Sequence, residues 1–278
     1  MSPTNAVRLC EKSSKLEQDW RDLYTAAFPV SEQESEAKLQ NLIDNGKLLY
    51  HKTVGKNGEL LCFSMVSLAP DFSFLAYIAT DPRQRSGGYG SKHMRALIDL
   101  LKNQYPTHVG LFLEIESTNP RNQTLSDEDK NTRKRRLDFY RRLGSKRLCR
   151  SMQYLAPSKS GQSELELDIL FFNFANATLE HKAKERIVSE IYQRFYELPP
   201  SDPLVTKVLS KVTSCGHPKC EEEPADSSTA TATTDKTAAL PAASPTVPTS
   251  QAEEAKQEQA PAADMTSPEA KQAEGEAT

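Results

Sequence analysis

The chain has 278 residues, 37% of them hydrophobic and 26% charged, with a formal net charge of −3. That balance suits one well-buried domain. It excludes a membrane-spanning protein, since no apolar run is long enough to cross a bilayer. Met1–Leu9 is short and polar, without a secretory pattern, so the expected location is cytoplasmic. The charge is unevenly spread: residues 1–218 hold 31 Lys/Arg against 26 Asp/Glu, and residues 219–278 hold 4 against 12. Residues 213–278 read as a disordered acidic tail, because Ala, Thr, Ser, Pro, Glu and Gln cannot bury enough apolar surface to offset chain entropy. The five cysteines show no disulfide framework, and Cys62 and Cys149 read as small buried hydrophobes. Cys215, His217 and Cys220 offer three ligands at irregular spacing, a flexible linker rather than a zinc site. No metal is expected.

In chain order, Ala6–Glu11 reads as a first strand. Leu16–Phe28 is a helix with Trp20, Leu23, Tyr24, Ala27 and Phe28 on one face, stopped by Pro29. Glu32–Asn45 is a second helix. Leu48–Val54 and Glu59–Leu68 form a hairpin around Gly55–Gly58, and Ser73–Thr80 is the next strand. A glycine-rich turn leads into a helix carrying Met94, Leu97, Ile98 and Leu101. His108–Ser117 is a strand, and Asn131–Leu143 a very basic helix. Arg147–Ala156 and Glu164–Phe172 are antiparallel strands, followed by an amphipathic helix over Thr178–Leu198.

The turn Arg85-Ser86-Gly87-Gly88-Tyr89-Gly90 between strand and helix is the layout of an anion site. Unpaired amides and the positive end of the helix dipole both favour a diphosphate there. A dinucleotide fingerprint would require glycine at position 93, which is His93. A P-loop would require Gly-Lys-Ser/Thr, and Gly90-Ser91-Lys92 does not supply it. Arg85-x-x-Gly88-x-Gly90, with Pro82 before it and Met94 in the helix after it, resembles the acyl-CoA signature of the GNAT superfamily of N-acyltransferases. Ser86 stands where that family often has its first glycine.

The resemblance covers residues 5–175, and the expected domain runs over residues 1–175. It implies an α+β fold: a mixed, mostly antiparallel sheet splayed at its middle and flanked by helices. Residues 176–212 would be a helical extension packed on that domain. It implies acetyl-CoA as cofactor, held by Ile78, Ala79, Thr80, Arg85, Ser86, Gly87, Gly88, Tyr89, Gly90 and Ser91, with Asn131 and Arg133 reaching its lower end.

Moving an acyl group from a thioester to an amine requires a neutral amine, although a lysine-type ammonium has a pKa of about 10.4. It also requires donors for the carbonyl oxygen and a proton or hydrogen bond for the departing thiolate. Phe139-Tyr140-Arg141-Arg142-Leu143-Gly144 resembles the family's Phe-Tyr-x-x-x-Gly segment, which would make Tyr140 the general acid. A core tyrosine with a locally satisfied hydroxyl is the plainer reading. In Leu111–Glu116 the alternation puts Glu114 and Glu116 on one face. The resemblance makes Glu114 the base, with Glu116 in reserve. The alternative is a salt bridge to an arginine of the basic helix.

The expected function is an N-acetyltransferase working by direct attack in a ternary complex. Its acceptor would be an amine-bearing small molecule or peptide, cationic in keeping with the acidic pair. Acceptor loops would be Pro29–Ser35, Ser117–Asp129 and Pro157–Ser163. A non-catalytic acyl-CoA-binding module is the rival, with both glutamates tied up in ion pairs. A nucleic-acid binder using residues 130–150 is a third reading, disfavoured by the front region's modest positive balance. A membrane partner is not expected, and the protein would be a monomer or homodimer.

Overall fold

The computed structural model of the chain describes residues 6–84, 87–121, 123–149, 152–157, 164–175 and 178–212. The expectations for Arg85, Ser86, Cys215, His217, Cys220 and the acidic tail fall outside them. Strands β1 (Arg8–Ser13), β2 (Leu48–Val54), β3 (Leu60–Leu68), β4 (Ser73–Thr80), β5 (Gly110–Glu116), β6 (Lys146–Arg147), β7 (Tyr154–Ala156) and β8 (Leu165–Asn173) build one sheet. Its order is β1-β2-β3-β4-β5-β8-β6, with β7 also paired to β8. Every pairing is antiparallel except β4 with β5. The expected mixed, mostly antiparallel sheet is present.

The helices are α1 (Gln18–Ala27), α2 (Glu36–Asp44), α3 (Tyr89–Gln104), α4 (Asp127–Arg142), α5 (His181–Phe195) and α6 (Pro203–Val212). Three apolar clusters show how they cover the sheet. Met94, Leu97 and Leu101 of α3 and Leu137 and Tyr140 of α4 pack on Leu75, Ile78, Leu111, Leu113 and Ile115. Trp20, Leu23 and Tyr24 of α1 and Leu39 of α2 pack with Tyr50, Phe63 and Met65. Ile187, Val188 and Ile191 of α5 and Val205 and Val208 of α6 pack with Phe112, Leu167 and Ile169. Because side chains alternate along a strand, α3 and α4 occupy one face. The other two groups share the opposite face.

Several elements differ from the sequence reading. The second helix begins at Glu36, where the Ser35 side chain accepts the Lys38 amide. Val30–Glu32 forms a separate short 3-10 turn. Ser126 caps α4 by accepting from Asp129, so that helix starts earlier than its basic run. The expected strand Arg147–Ala156 is two pieces. Lys146 and Arg147 pair with Phe171 and Leu170, and pairing resumes only at Tyr154 opposite Leu167. Between these pairs the Leu148 amide still bonds Ile169 O at 2.8 Å. Helix α6 lies within the helical extension expected over residues 176–212, although it was not singled out as a separate helix. Cys149 is half-buried and disulfide-bonded rather than a buried free thiol. Disulfide pairing cannot be read from spacing alone.

Beneath α3 lies a polar knot. His93 bonds Thr53 Oγ1 through Nδ1 and Ser64 Oγ through Nε2, both at 2.8 Å, and Thr53 Oγ1 accepts the Cys10 amide at 3.1 Å. This pins the first turn of α3 to β1, β2 and β3. Burial depresses the pKa of His93 to about 3 and that of neighbouring His51 to about 4. Both histidines are neutral in the fold but protonate near 6.5 when unfolded. Their contribution is therefore complete above pH 6.5 and is lost as pH falls towards 3–4. Between pH 7 and pH 5 the chain should lose on the order of 2 kcal/mol per histidine. His93→Leu should cost about 1–3 kcal/mol at pH 7 by stranding two hydroxyls, yet flatten that acid loss. Urea unfolding at the two pH values measures both effects, and an unchanged pH dependence would refute the assignment.

Candidate active site at the splay of β4 from β5

β4 and β5 pair only at Ser73 with Leu111 and at Phe74 with Phe112. Beyond that they separate. β4 stays bonded to β3 through Ser64 with Ile78, Phe63 with Ala79 and Cys62 with Thr80. β5 stays bonded to β8 as far as Glu116 with Leu167. A register irregularity at Met65/Val66 leaves Ala76 as an extra residue in β4, where the strands part. Main-chain groups of Leu75–Thr80 that do not face β3 therefore border a gap. An extended pantetheine-like arm could lie there as an added strand would. Ile78, Ala79 and Thr80 are all buried beside this gap.

The gap leads to the start of α3. Gly88 is the residue before the first turn, with φ 69 and ψ 9, and no side chain caps the helix. Among the described residues, the amides of Tyr89, Gly90 and Ser91 have no acceptor. The left-handed conformation of Gly88 is open to glycine without strain. A Cβ built there meets nothing within 4 Å, so the turn is open on that side. Lys92 lies over the Tyr89 ring, 5.4 Å from its centroid. The Gly87 amide is not free: it bonds Gln84 O at 3.3 Å.

Tyr140 reaches the splay from the α3/α4 face. It is fully buried, and its hydroxyl has no hydrogen-bond partner. Burial raises its pKa, partly opposed by Arg136. The expectation of a locally satisfied core hydroxyl is not met. Glu114 reaches the splay from the other face. Tyr154 donates to its Oε1, and Tyr196 donates to its Oε2 at 2.6 Å. Desolvation raises its pKa to about 7, against the lowering effect of both hydrogen bonds. Glu116 takes a different role. It is 1% exposed, ion-paired to Arg136, with Arg133 Nε 3.7 Å from its other oxygen.

The two remaining cofactor candidates sit elsewhere. Arg133 is buried, giving NH1 to Ser117 O at 3.0 Å and NH2 to Gln123 Oε1 at 3.1 Å, so it fixes the loop after β5. Asn131 is exposed and lines a surface depression on α4 with Glu128 and Arg135. The basic stretch is largely committed internally: Arg136 to Glu116, Lys134 to Asp138, and Arg147 to Asp168 and Thr118. Cys10 and Cys62 are buried thiols with pKa values pushed up to about 12, unsuited to nucleophilic attack. Tyr154 and Tyr196 were missed as site residues. Nothing local in the sequence joins them to Glu114, because the contact spans α5, β5 and β7.

The central sheet opened between two parallel strands, with a glycine-led helix start at the opening, is the splayed fold that the sequence resemblance implied. Residues 17–126 match the family model described as Acetyltransferase (GNAT) family. YjbC of Bacillus subtilis (strain 168), which carries the name of an acetyltransferase, is 26% identical over 155 residues, covering 56% of this chain and 70% of that protein. A solved GNAT-family structure from Bacteroides thetaiotaomicron shares the fold with a TM-score of 0.51 and 22% identity. It covers 64% of this chain and 90% of its own. Over residues 17–126 the chain is similar to the GNAT acetyltransferase family.

The Glu116 pair gives a direct test of the site's scaffolding. Arg136→Met should cost about 3–5 kcal/mol, because it takes the nearer guanidinium from a buried carboxylate and leaves only Arg133 at 3.7 Å. Adding Glu116→Leu should recover most of that loss. Urea denaturation of the single and double variants measures it, and equal losses in both would contradict an internal ion pair.

Proposed function

We propose that the protein is an N-acetyltransferase that uses acetyl-CoA and a primary amine in one ternary complex. The observation that carries this reading is the gap between β4 and β5, which ends at the uncapped start of α3 and is flanked by Tyr140 and Glu114 on opposite faces. The site's chemistry fits a coenzyme A thioester. The first-turn amides of α3 and the left-handed turn at Gly88 suit a diphosphate. The orphaned hydroxyl of Tyr140 lacks a partner that a sulfur could provide. When bound, acetyl-CoA would supply the acetyl group as an activated thioester.

The chain's own residues would supply the rest. Glu114 would take the proton that the acceptor ammonium gives up, and a carboxylate titrating near neutrality is suited to that task. Main-chain amides of β4 beside the gap would hold the carbonyl oxygen. Tyr140 would hydrogen-bond the departing sulfur and protonate it. The N–C bond forms as the C–S bond breaks; the phenol's proton goes to the sulfur, and the second proton lost by the nitrogen returns to the phenolate through solvent. A binding module without catalysis would tie up both glutamates in ion pairs. Glu116 is tied up in that way, while among the described residues no cation pairs with Glu114.

The acceptor side lies on the face shared by α1, α2 and α5. There Tyr77 donates to Glu32 O at 2.9 Å and holds the corner before α2, one of the expected acceptor loops. Among the described residues no helix is long and apolar enough to cross a membrane.

Two measurements test this reading. Acetyl-CoA should raise the thermal midpoint in proportion to the logarithm of its concentration above Kd. Gly88→Ala should shrink that rise, while left-handed strain costs about 1 kcal/mol in the free protein. No rise at millimolar acetyl-CoA would sink the proposal.

Tyr140→Phe should behave unusually. Removing an unsatisfied buried hydroxyl should leave the free protein as stable as the parent or up to about 1–3 kcal/mol more stable. Acetyl-CoA affinity should persist while turnover is lost. Undiminished turnover would remove Tyr140 from the mechanism.

A further inference from the structure

Glu114 differs from its neighbours among the buried and half-buried carboxylates. Glu116 has Arg136 and Arg133, Asp168 has Arg147, and Asp81 has Arg83. Glu166 has neutral donors too, but the Arg121 amide and Gln153 Nε2 both meet the same oxygen, Oε2, at 2.8 Å. Glu114 instead has two neutral donors, one on each oxygen. A guanidinium would fix the carboxylate but depress its basicity. Two phenols fix both oxygens while leaving it able to accept a proton.

The donors come from separate elements beyond the family-matched residues 17–126. Tyr154 lies on β7, opposite Leu167 of β8. Tyr196 caps the end of α5, and that end is closely held. The amides of Tyr196 and Leu198 both bond Tyr192 O at 3.1 Å. Between them Glu197 takes φ 56, a left-handed position that helix ends usually give to glycine. Phe195 stacks on Phe74 of β4 with centroids 4.1 Å apart, and Tyr192 donates to Leu155 O at 2.5 Å. Lys38 of α2 bridges Glu34 at 3.1 Å and Glu197 at 3.6 Å, so the end of α5 also meets the acceptor corner. A non-glycine residue held left-handed by this many contacts indicates a specified end, one that aims Tyr196 at Glu114.

We propose that Tyr154 and Tyr196 are positioning residues for Glu114, and that α5 thereby completes the acceptor side of the active site. This rests on the reading of Glu114 as the base. The phenols keep their own protons: burial and the Glu114 charge raise both pKa values well above the usual tyrosine range. The proton from the amine therefore ends on Glu114. Tyr192 on α5 is the other titratable group facing it, and it too is held protonated by burial. β8 contributes apolar Ile169 opposite Glu114. Each phenol favours the ionised carboxylate, while desolvation opposes it.

The test is a carboxyl titration followed by infrared difference spectroscopy on the full chain without ligand. The parent should lose a buried C=O stretch with a midpoint near 7, and Glu114→Gln should lack that band. Tyr154→Phe and Tyr196→Phe should each move the midpoint up by about 0.5–1 unit. The acid limb of kcat/KM should move with it, measured with acetyl-CoA and with spermidine, kanamycin and an alanine-initiated tetrapeptide as amine probes. Acetyl-CoA Kd should stay within about twofold, because neither tyrosine borders the α3 turn. Unmoved midpoints in both folded Phe variants would overturn the inference. A Glu114→Gln variant that lacks the band yet keeps full turnover would instead defeat the base assignment, and the shifts in the Phe variants would show which of the two ideas had failed.

Discussion

Everything in the site depends on β4 and β5 sharing only two residue pairs. A parallel pair fully zipped would bury its main chain and leave no aperture. Here β4 takes an extra residue at Ala76 and remains married to β3, while β5 remains married to β8. The two halves of the sheet are each satisfied and diverge because their partners differ. The opening needs no flexible lid. It leaves main-chain groups of one strand without a strand partner along one side and carries side chains of the other at its mouth. Helices on both faces keep the halves from closing: α3 and α4 on one, α1/α2 and α5/α6 on the other.

How much of this was legible in the sequence follows from where the determining interactions lie. Period-two and period-3.6 patterns gave β2 and β4 with their observed bounds and most of α1 and α3, because each buries one face against a neighbour. The start of α4 was misjudged, since the eye follows the basic run and not the Ser126 cap with its acidic first turn. The split of the strand expected over Arg147–Ala156 is a property of its pairing with β8, and no local pattern records it. The glycine turn was legible because its chemistry is local: Gly88 needs φ 69, and only the sequence at that point decides it.

The site itself was legible in part for the same reason. Alternation placed Glu114 and Glu116 together, and it had no means of separating their roles. Separation comes from partners at long range. Arg133 and Arg136 sit one helical turn apart on α4 and both face Glu116. Tyr154 and Tyr196 converge on Glu114 from elements that the chain forms only later. Arg133, expected at the cofactor, is spent on the loop carbonyl of Ser117 and on Glu116. Residues singled out by type alone therefore divide into scaffold and chemistry only when the tertiary contacts are known.

That division has a physical logic. Two carboxylates on one face of a strand repel, and burial makes both costly unless each is answered. The chain answers them differently. Glu116 receives full counter-charge, which fixes it as an anion and uses its charge to clamp α4 over β5. Glu114 receives only hydrogen bonds, so desolvation prevails and its affinity for a proton rises towards neutrality. The ion pair at Glu116 thus also protects the setting of Glu114, because it spends the nearby arginines before they could reach the second carboxylate. Reversing the assignment would place a guanidinium on Glu114 and remove its capacity to accept a proton at neutral pH. The clamp and the proposed base are two outcomes of one constraint: how a single strand buries two negative charges beside an opening.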